Sequence, residues 1–255
     1  MPYTSATQQA RAALRGCART GYRVANRVLH KIGFKLVRVE RPTRTFDEFF
    51  HHLKNLGFYP GTVIDVGAAS GTDSLHAAFP EAKFILIEPL EEFREPLRRF
   101  TERHDCEAHF AAAGSREGEV EIRIAPDLYG SSVARTSDAG DRKVPVITLD
   151  RVLERTSPAP PILLKIDVQG YELHVMEGIR RHLSWCEVVI IEASTYCVSE
   201  DPPDFYTVVS YMKERGLSVY DFLDGIPRPY DNALGQVDLG FVQDDGRFRQ
   251  YRGWR

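Results

Sequence analysis

A strand that ends in charge and turns at once into a helix constrains this chain more than any other feature. Leu163-Leu164-Lys165-Ile166-Asp167-Val168-Gln169-Gly170-Tyr171-Glu172-Leu173 runs apolar, then charged, then into a turn. Lys165 and Asp167 are two positions apart, so on a strand both side chains leave the same face. A strand in a parallel sheet is ordinarily apolar on both faces. Charge placed there is costly unless it pairs or meets a polar ligand. Open α/β sheets bind their ligands at the carboxyl ends of the strands, where this charge would lie.

The surrounding pattern agrees with such a sheet. From Val63 onward strand and helix signals alternate, with strands expected over 62–66, 83–87, 108–112, 162–167, 187–192, 218–223 and 237–242. Helices are expected over 72–79, 91–103, 172–182 and 204–215. The alternation predicts an α/β fold with a doubly wound, mostly parallel seven-stranded sheet. The last two strands follow one another without a helix, only a Pro/Gly-rich loop over 224–235, so that edge should be antiparallel. Ahead of the first strand, Thr45 and Glu48 have the spacing of a capping box. Phe46, Phe49, Phe50, Leu53 and Leu56 supply the apolar face of that helix and Gly57 closes it. Residues 119–150 break the alternation. Two short alternating runs, 120–124 and 144–148, flank turn-rich sequence containing Ser131 and Ser132, and read as a hairpin-like insertion near the site.

Charge divides the chain in two. Residues 1–40 hold eight Lys/Arg and one acid, a balance of +7; the whole chain is −3, which leaves −10 for the remainder. We expect a basic, helical N-terminal segment over 1–44 and one domain over 45–255 (length permits a full core). Arg11, Arg15, Arg19, Arg23, Arg27, Lys31 and Lys35 recur at every fourth residue. The row reads first as a solvated helix or one packed on a second subunit, which leaves a homo-oligomer open. Its functional alternative is peripheral attraction to an anionic membrane or a lipid-linked acceptor. An acidic body argues against nucleic-acid binding. The four cysteines, 17, 106, 186 and 197, form no C-x-x-C pair, and no run approaches the ~20 apolar residues of a membrane span. A cytoplasmic chain, at most peripheral at the inner membrane surface, is the expectation.

The first strand, Val63-Ile-Asp-Val-Gly-Ala-Ala-Ser-Gly71, runs into a glycine-containing loop and a helix whose free N–H groups can meet an anion. The second ends in Glu88-Pro89, 21 residues after Gly67. An acid at that place can accept both hydroxyls of a ribose. The spacing fits two cofactors. A dinucleotide fold would want G-x-G-x-x-G; the loop with only Gly67 and Gly71 fits S-adenosylmethionine better.

These residues bring a known family into view. The stretch 63–71, Ile87-Glu88-Pro89, Ser131-Ser132, Val146-Ile-Thr-Leu-Asp150 and the 164–173 run with Gly178 resemble the FkbM family of methyltransferases, in the same order over roughly 45–243. The resemblance implies a class I S-adenosylmethionine-dependent (Rossmann-like) fold and O-methylation of hydroxyls on sugars or polyketide natural products. The family usually carries Asn where Ala69 stands, which removes one side-chain contact here. It usually carries Glu where Gln169 stands, which leaves Asp167 and Glu172 as the nearest carboxylates.

Donor contacts are accordingly expected from Asp65, Gly67, Ala68, Ser70 and Gly71 in the first loop, and from Glu88, Pro89, Ala112 and Asp167 across the neighbouring strand ends. Asp167, Glu172 and Lys165 are the catalytic candidates: Asp167 as base or orienting group, Glu172 by its place in the run, Lys165 chiefly to neutralise carboxylates. Glu192 ends the next strand and with Asp167 could hold Mg²⁺, but further ligands are not evident and no metal is expected. Tyr196 and Tyr230 are candidates for stacking on a sugar. The favoured reading is an O-methyltransferase on a sugar hydroxyl of a glycan or glycoside. The alternatives are transfer to a polyketide or other secondary-metabolite hydroxyl, and a non-catalytic donor-binding or membrane-associated interaction protein.

Overall fold

A computed structural model describes residues 43–102, 104–134, 139–196, 203–251 and 253. The chain divides after Pro42, so the basic row of the N-terminal segment lies outside the described residues. The second unit opens with α1 (Phe46–Asn55), whose capping box forms as its sequence requires: Thr45 Oγ1 accepts from Glu48 N at 3.2 Å and Glu48 Oε2 accepts from Thr45 N at 2.9 Å. Phe49, Phe50 and Leu53 are buried. Phe49 packs on Gly240, where a Cβ would come within 2.9 Å of its ring tip.

Seven strands build the main sheet: β1 (Thr62–Val66), β2 (Lys83–Ile87), β3 (Cys106–His109), β8 (Ile162–Ile166), β9 (Cys186–Ser194), β10 (Leu217–Pro227) and β11 (Leu234–Gln243). Their order is β10-β11-β9-β8-β1-β2-β3. The first five pair in parallel and the β9-β11-β10 edge is antiparallel. This is the doubly wound class I methyltransferase arrangement. Every residue of β1 and β8 is buried, as central parallel strands demand. Helices α2 (Asp73–Ala78), α3 (Arg94–Thr101, after a 3-10 turn), α5 (Glu172–Glu177) and α6 (Phe205–Glu214) connect the strands. β4 (Ala112–Ala113), β5 (Gly118–Arg123), β6 (Ser132–Val133) and β7 (Arg142–Ile147) form a second sheet of order β4-β7-β5-β6.

Four sequence expectations are corrected. The strand expected over 108–112 is two strands in two sheets, because the chain leaves the main sheet after His109 and joins β7 at Ala112. The hairpin-like insertion exists as the antiparallel β5–β7 pair, but it ends at Ile147. Residues thought to close it begin a further helix, α4 (Leu149–Thr156), capped by Thr148 Oγ1 accepting from Arg151 N at 3.2 Å. The helix expected over 172–182 stops at Glu177, because Gly178 crosses Gly114 so closely that a Cβ would meet its carbonyl oxygen at 2.2 Å. The loop expected over 224–235 is shorter, 228–233: β10 and β11 extend into a bulged hairpin on either side of it, with Pro227 tolerated on an edge strand.

Candidate active site

The order of the sheet reverses between β1 and β8, and the two loops leaving these strands meet there. Gly67 (φ +77°) packs against Asp167 so closely that a Cβ would sit 1.8 Å from the Asp167 carbonyl oxygen. Only glycine permits that approach. Gly67 N and Ala68 N both donate to Ile87 O, at 2.9 and 3.2 Å, which ties the loop to β2. Ala69 (φ +47°) and Gln169 (φ +54°) are left-handed non-glycine residues, one in each loop. Strain of this kind gathers at functional sites. Asn would tolerate the conformation at position 69 better than Ala does.

A cavity opens at this crossing. Glu88 stands at its wall, 5% exposed. Its Oε2 accepts from Ala69 N at 2.9 Å and its Oε1 from Leu90 N at 2.9 Å. Each oxygen keeps a further acceptor site for a vicinal diol. Burial raises its pKa above the ordinary carboxylate value, against those two backbone donors. Gly67, Pro89, Ala112 and Asp167 line the same cavity. Ala68, Ser70, Gly71 and Asp65 do not. Ala68 is buried behind the loop, Ser70 is exposed, and Gly71 packs on the Phe100 ring. Asp65 lies beneath the loop at 1% exposure, with neither carboxylate oxygen hydrogen-bonded.

The charged end of β8 forms as its spacing implies. β1 and β8 align Asp65 with Lys165. Lys165 Nζ lies 3.7 Å from Asp65 Oδ1, an ion pair longer than a hydrogen bond, and 3.2 Å from Asp167 Oδ2. Burial works against the lysine's charge, but Asp65 and Asp167 together hold its pKa above the usual value. For Asp65 burial dominates and its pKa is raised. Glu172 is 3% exposed and turned onto the loop, with Oε1 accepting from Gly170 N at 2.8 Å. It therefore holds the turn beside Asp167 and does not face the cavity. The carboxylate linked to Asp167 is instead Glu192: Gln169 Nε2 donates to Asp167 Oδ1 and Glu192 Oε2, both at 2.9 Å.

Sequence reasoning missed several lining residues. Leu90, Phe93, Tyr129 and Tyr171 enter from three segments; Leu90, just after Glu88-Pro89, and Tyr171, inside the 163–173 run, lay beside sequence signals, and Phe93 and Tyr129 did not. Ser131 and Ser132 line the cavity as anticipated for the insertion. Tyr196 has its ring under the Arg228 guanidinium at 3.9 Å, while Tyr230 is 87% exposed.

The cavity suits S-adenosylmethionine: an acid placed for the ribose diol and a glycine loop that lets a ligand approach the backbone closely. Residues 65–219 match the family model described as the methyltransferase FkbM domain, well over half of the 255 residues. The chain belongs to the FkbM methyltransferase family. A curated relative, the hexuronic acid methyltransferase AglP of Haloferax volcanii, is 26% identical over 99 residues, 39% of this FkbM methyltransferase and 40% of AglP. The match thus spans less than half of that relative's length. Among solved structures, a Burkholderia thailandensis 1,6-didemethyltoxoflavin-N1-methyltransferase is 13% identical with a TM-score of 0.39, covering 95% of this chain and 92% of its own. The magnesium protoporphyrin IX methyltransferase of Synechocystis PCC 6803 is 11% identical with a TM-score of 0.45, covering 78% and 77%. No group of three or more His, Cys, Asp or Glu side chains is arranged to hold a metal ion, and no helix is long and apolar enough to cross a membrane, among the described residues.

Proposed function

We propose that this methyltransferase uses S-adenosylmethionine and methylates a hydroxyl of a sugar in a glycan or glycoside, with residues 45–255 as the catalytic domain. The observation that carries the donor assignment is Glu88: a buried carboxylate, fixed by two backbone donors, with free acceptor sites facing the cavity beside Gly67 and Asp167. The partial likeness to AglP, a hexuronic acid methyltransferase, supports a sugar acceptor. The basic segment over 1–40 would help to bring the chain to an anionic surface carrying lipid-linked sugar.

When bound, the donor supplies a methyl carbon made electrophilic by a positive sulfur. The protein's part is alignment and proton removal. The Gly67 loop and Glu88 would hold the donor, Glu88 through its ribose diol. Asp167 is held on one oxygen by Lys165 and on the other by Gln169, so its carboxylate stands in one orientation at the cavity edge. There it takes the proton that the acceptor hydroxyl loses. Positioning contributes up to ~7–11 kcal/mol in favourable systems and a placed base ~10²–10⁴-fold. Lys165 and Glu172 are positioning residues in this scheme.

Incubation with methyl-labelled donor and the surface glycans and small metabolites of a deletion strain tests the proposal. Label is expected on a sugar oxygen, at a position unmethylated in the deletion strain. Label on nitrogen, carbon or a non-sugar hydroxyl would overturn it.

A further inference from the structure

Part of the cavity wall is built by the insertion. Past Glu88 and Pro89 the wall turns apolar, with Leu90 and Phe93 both buried in the segment after β2. The insertion completes it with Ile122, Leu128, Tyr129 and Val133. Ile122 of β5 and Val133 of β6 are partners in register. The chain between these strands makes a turn of fixed shape. Leu128 N donates to Ala125 O at 2.9 Å, Ser131 N to Leu128 O at 3.2 Å, and Ala125 N to Ser131 Oγ at 3.0 Å. Leu128 is left-handed (φ +67°), a conformation that bulky side chains rarely adopt. Strain held in place by a closed set of hydrogen bonds is the kind found at ligand clamps.

Two contacts fasten the insertion to the segment after β2. Tyr129 is 63% exposed, yet its ring meets that of Phe93 with centroids 5.4 Å apart. Next to Phe93, Glu92 forms a two-bond fork with Arg142 of β7: Nη1 donates to Oε2 at 2.8 Å and Nη2 to Oε1 at 2.7 Å. Exposed ion pairs ordinarily add little to folding. A fork of this geometry, however, fixes orientation as well as distance. Neither contact belongs to the core; both join the two halves of one apolar wall. A flat heteroaromatic ring fits such a wall, because its faces gain from apolar and aromatic neighbours alike.

We infer that the insertion is a clasp for the donor's base: the purine joined to the ribose at Glu88 lies between Leu90 and Phe93 on one side and Leu128 and Tyr129 on the other, and the Glu92–Arg142 fork holds the clasp shut. The inference rests on the S-adenosylmethionine reading and deepens it. Tyr129 touches the base. Glu92 and Arg142 are positioning residues that act through Phe93 and β7.

Two measurements on the full chain test it. In the unaltered chain, S-adenosylhomocysteine should slow hydrogen–deuterium exchange over 122–133 and 142–147 on the order of 10-fold, besides slowing it in the loops after β1 and β2. This arm is independent of how any variant folds. Calorimetric titration with S-adenosylhomocysteine, at a temperature where each variant is folded, reads the clasp directly. Tyr129→Ala should weaken binding ~10-fold. Glu92→Gln should weaken it ~3-fold or more, and Glu92→Arg with Arg142→Glu, which rebuilds the fork with its charges exchanged, should recover most of that loss. Protection confined to the loops after β1, β2 and β8, or affinities of Tyr129→Ala and Glu92→Gln equal to that of the unaltered chain, would overturn the clasp and leave the donor reading standing. Failure of S-adenosylhomocysteine to bind the unaltered chain would sink that reading as well.

Discussion

Glu88 and Lys165 show how single residues here are committed in advance of any ligand. Glu88 spends one acceptor site per oxygen on the backbone and keeps the rest for the cavity. Glu88→Ala should weaken donor binding by ~1–3 kcal/mol, the cost of stranding a buried diol; calorimetric titration reads it, and unchanged affinity refutes the assignment. Asp167→Asn keeps the side-chain shape but has one oxygen to accept from Lys165 or Gln169, not both, and it cannot take a proton. It should keep the fold at a lower unfolding midpoint and reduce turnover by ~10²-fold or more; a fully active variant would remove Asp167 from the chemistry. Lys165→Met strands Asp65, whose two oxygens make no hydrogen bond. Urea unfolding should show a loss of ~3–5 kcal/mol, largely recovered when Asp65 is made apolar as well.

At the scale of elements, the loops after β1 and β8 depend on one another. Gly67→Ala would drive a methyl group into the Asp167 carbonyl, so both loops must shift. Donor affinity should fall by at least ~10-fold even where the protein remains folded, and a variant with intact affinity would show that the loops move freely. Much at this scale was legible in sequence. β1, β2 and the capped α1 have local signals that nothing overrides: a largely apolar run with a terminal turn, or a Thr/Glu pair at fixed spacing. What failed needed tertiary information. Nothing local to 108–112 shows that the chain changes sheets after His109, because both halves read as strand. The end of α5 is set by the Gly114 backbone crossing Gly178, more than sixty residues away in sequence. α4 was legible after all: Thr148 followed by Leu149, Val152 and Leu153 is a cap and an apolar stripe, obscured by the strand pattern running into it. In the site, the sequence placed Glu88, Gly67 and Asp167 because motif residues sit at strand ends. Gln236 and Asp238 escaped because β11, an antiparallel strand between β10 and β9, carries no such motif and only pairing brings them to Glu192.

For the whole molecule, the sheet gathers Asp65, Glu88, Glu172, Glu192 and Asp238 at one end with burial raising the pKa of each. A carboxyl whose folded pKa is raised holds a proton that the unfolded chain releases. Its contribution is full below the ordinary carboxylate value of ~4 and is lost as pH climbs through the folded value. With Glu192 at about 8 and Asp238 at about 7, stability to urea should fall from about pH 4 to about pH 8 and level off above, and Glu192→Gln with Asp238→Asn should flatten the slope. The Lys165 pKa is raised as well, and its contribution is lost only above that window. A rising or flat profile in the unaltered chain would contradict the buried acid row. The central claim is that a sulfonium donor's adenosine and methionine lie across the tips of β1, β2 and β8. Calorimetric titration of the full chain with S-adenosylhomocysteine, alongside NAD⁺, tests it most directly. The account predicts saturable one-to-one binding of S-adenosylhomocysteine that Glu88→Ala weakens, and no heat from NAD⁺; binding of NAD⁺ in its place, or S-adenosylhomocysteine affinity indifferent to Glu88, would contradict it.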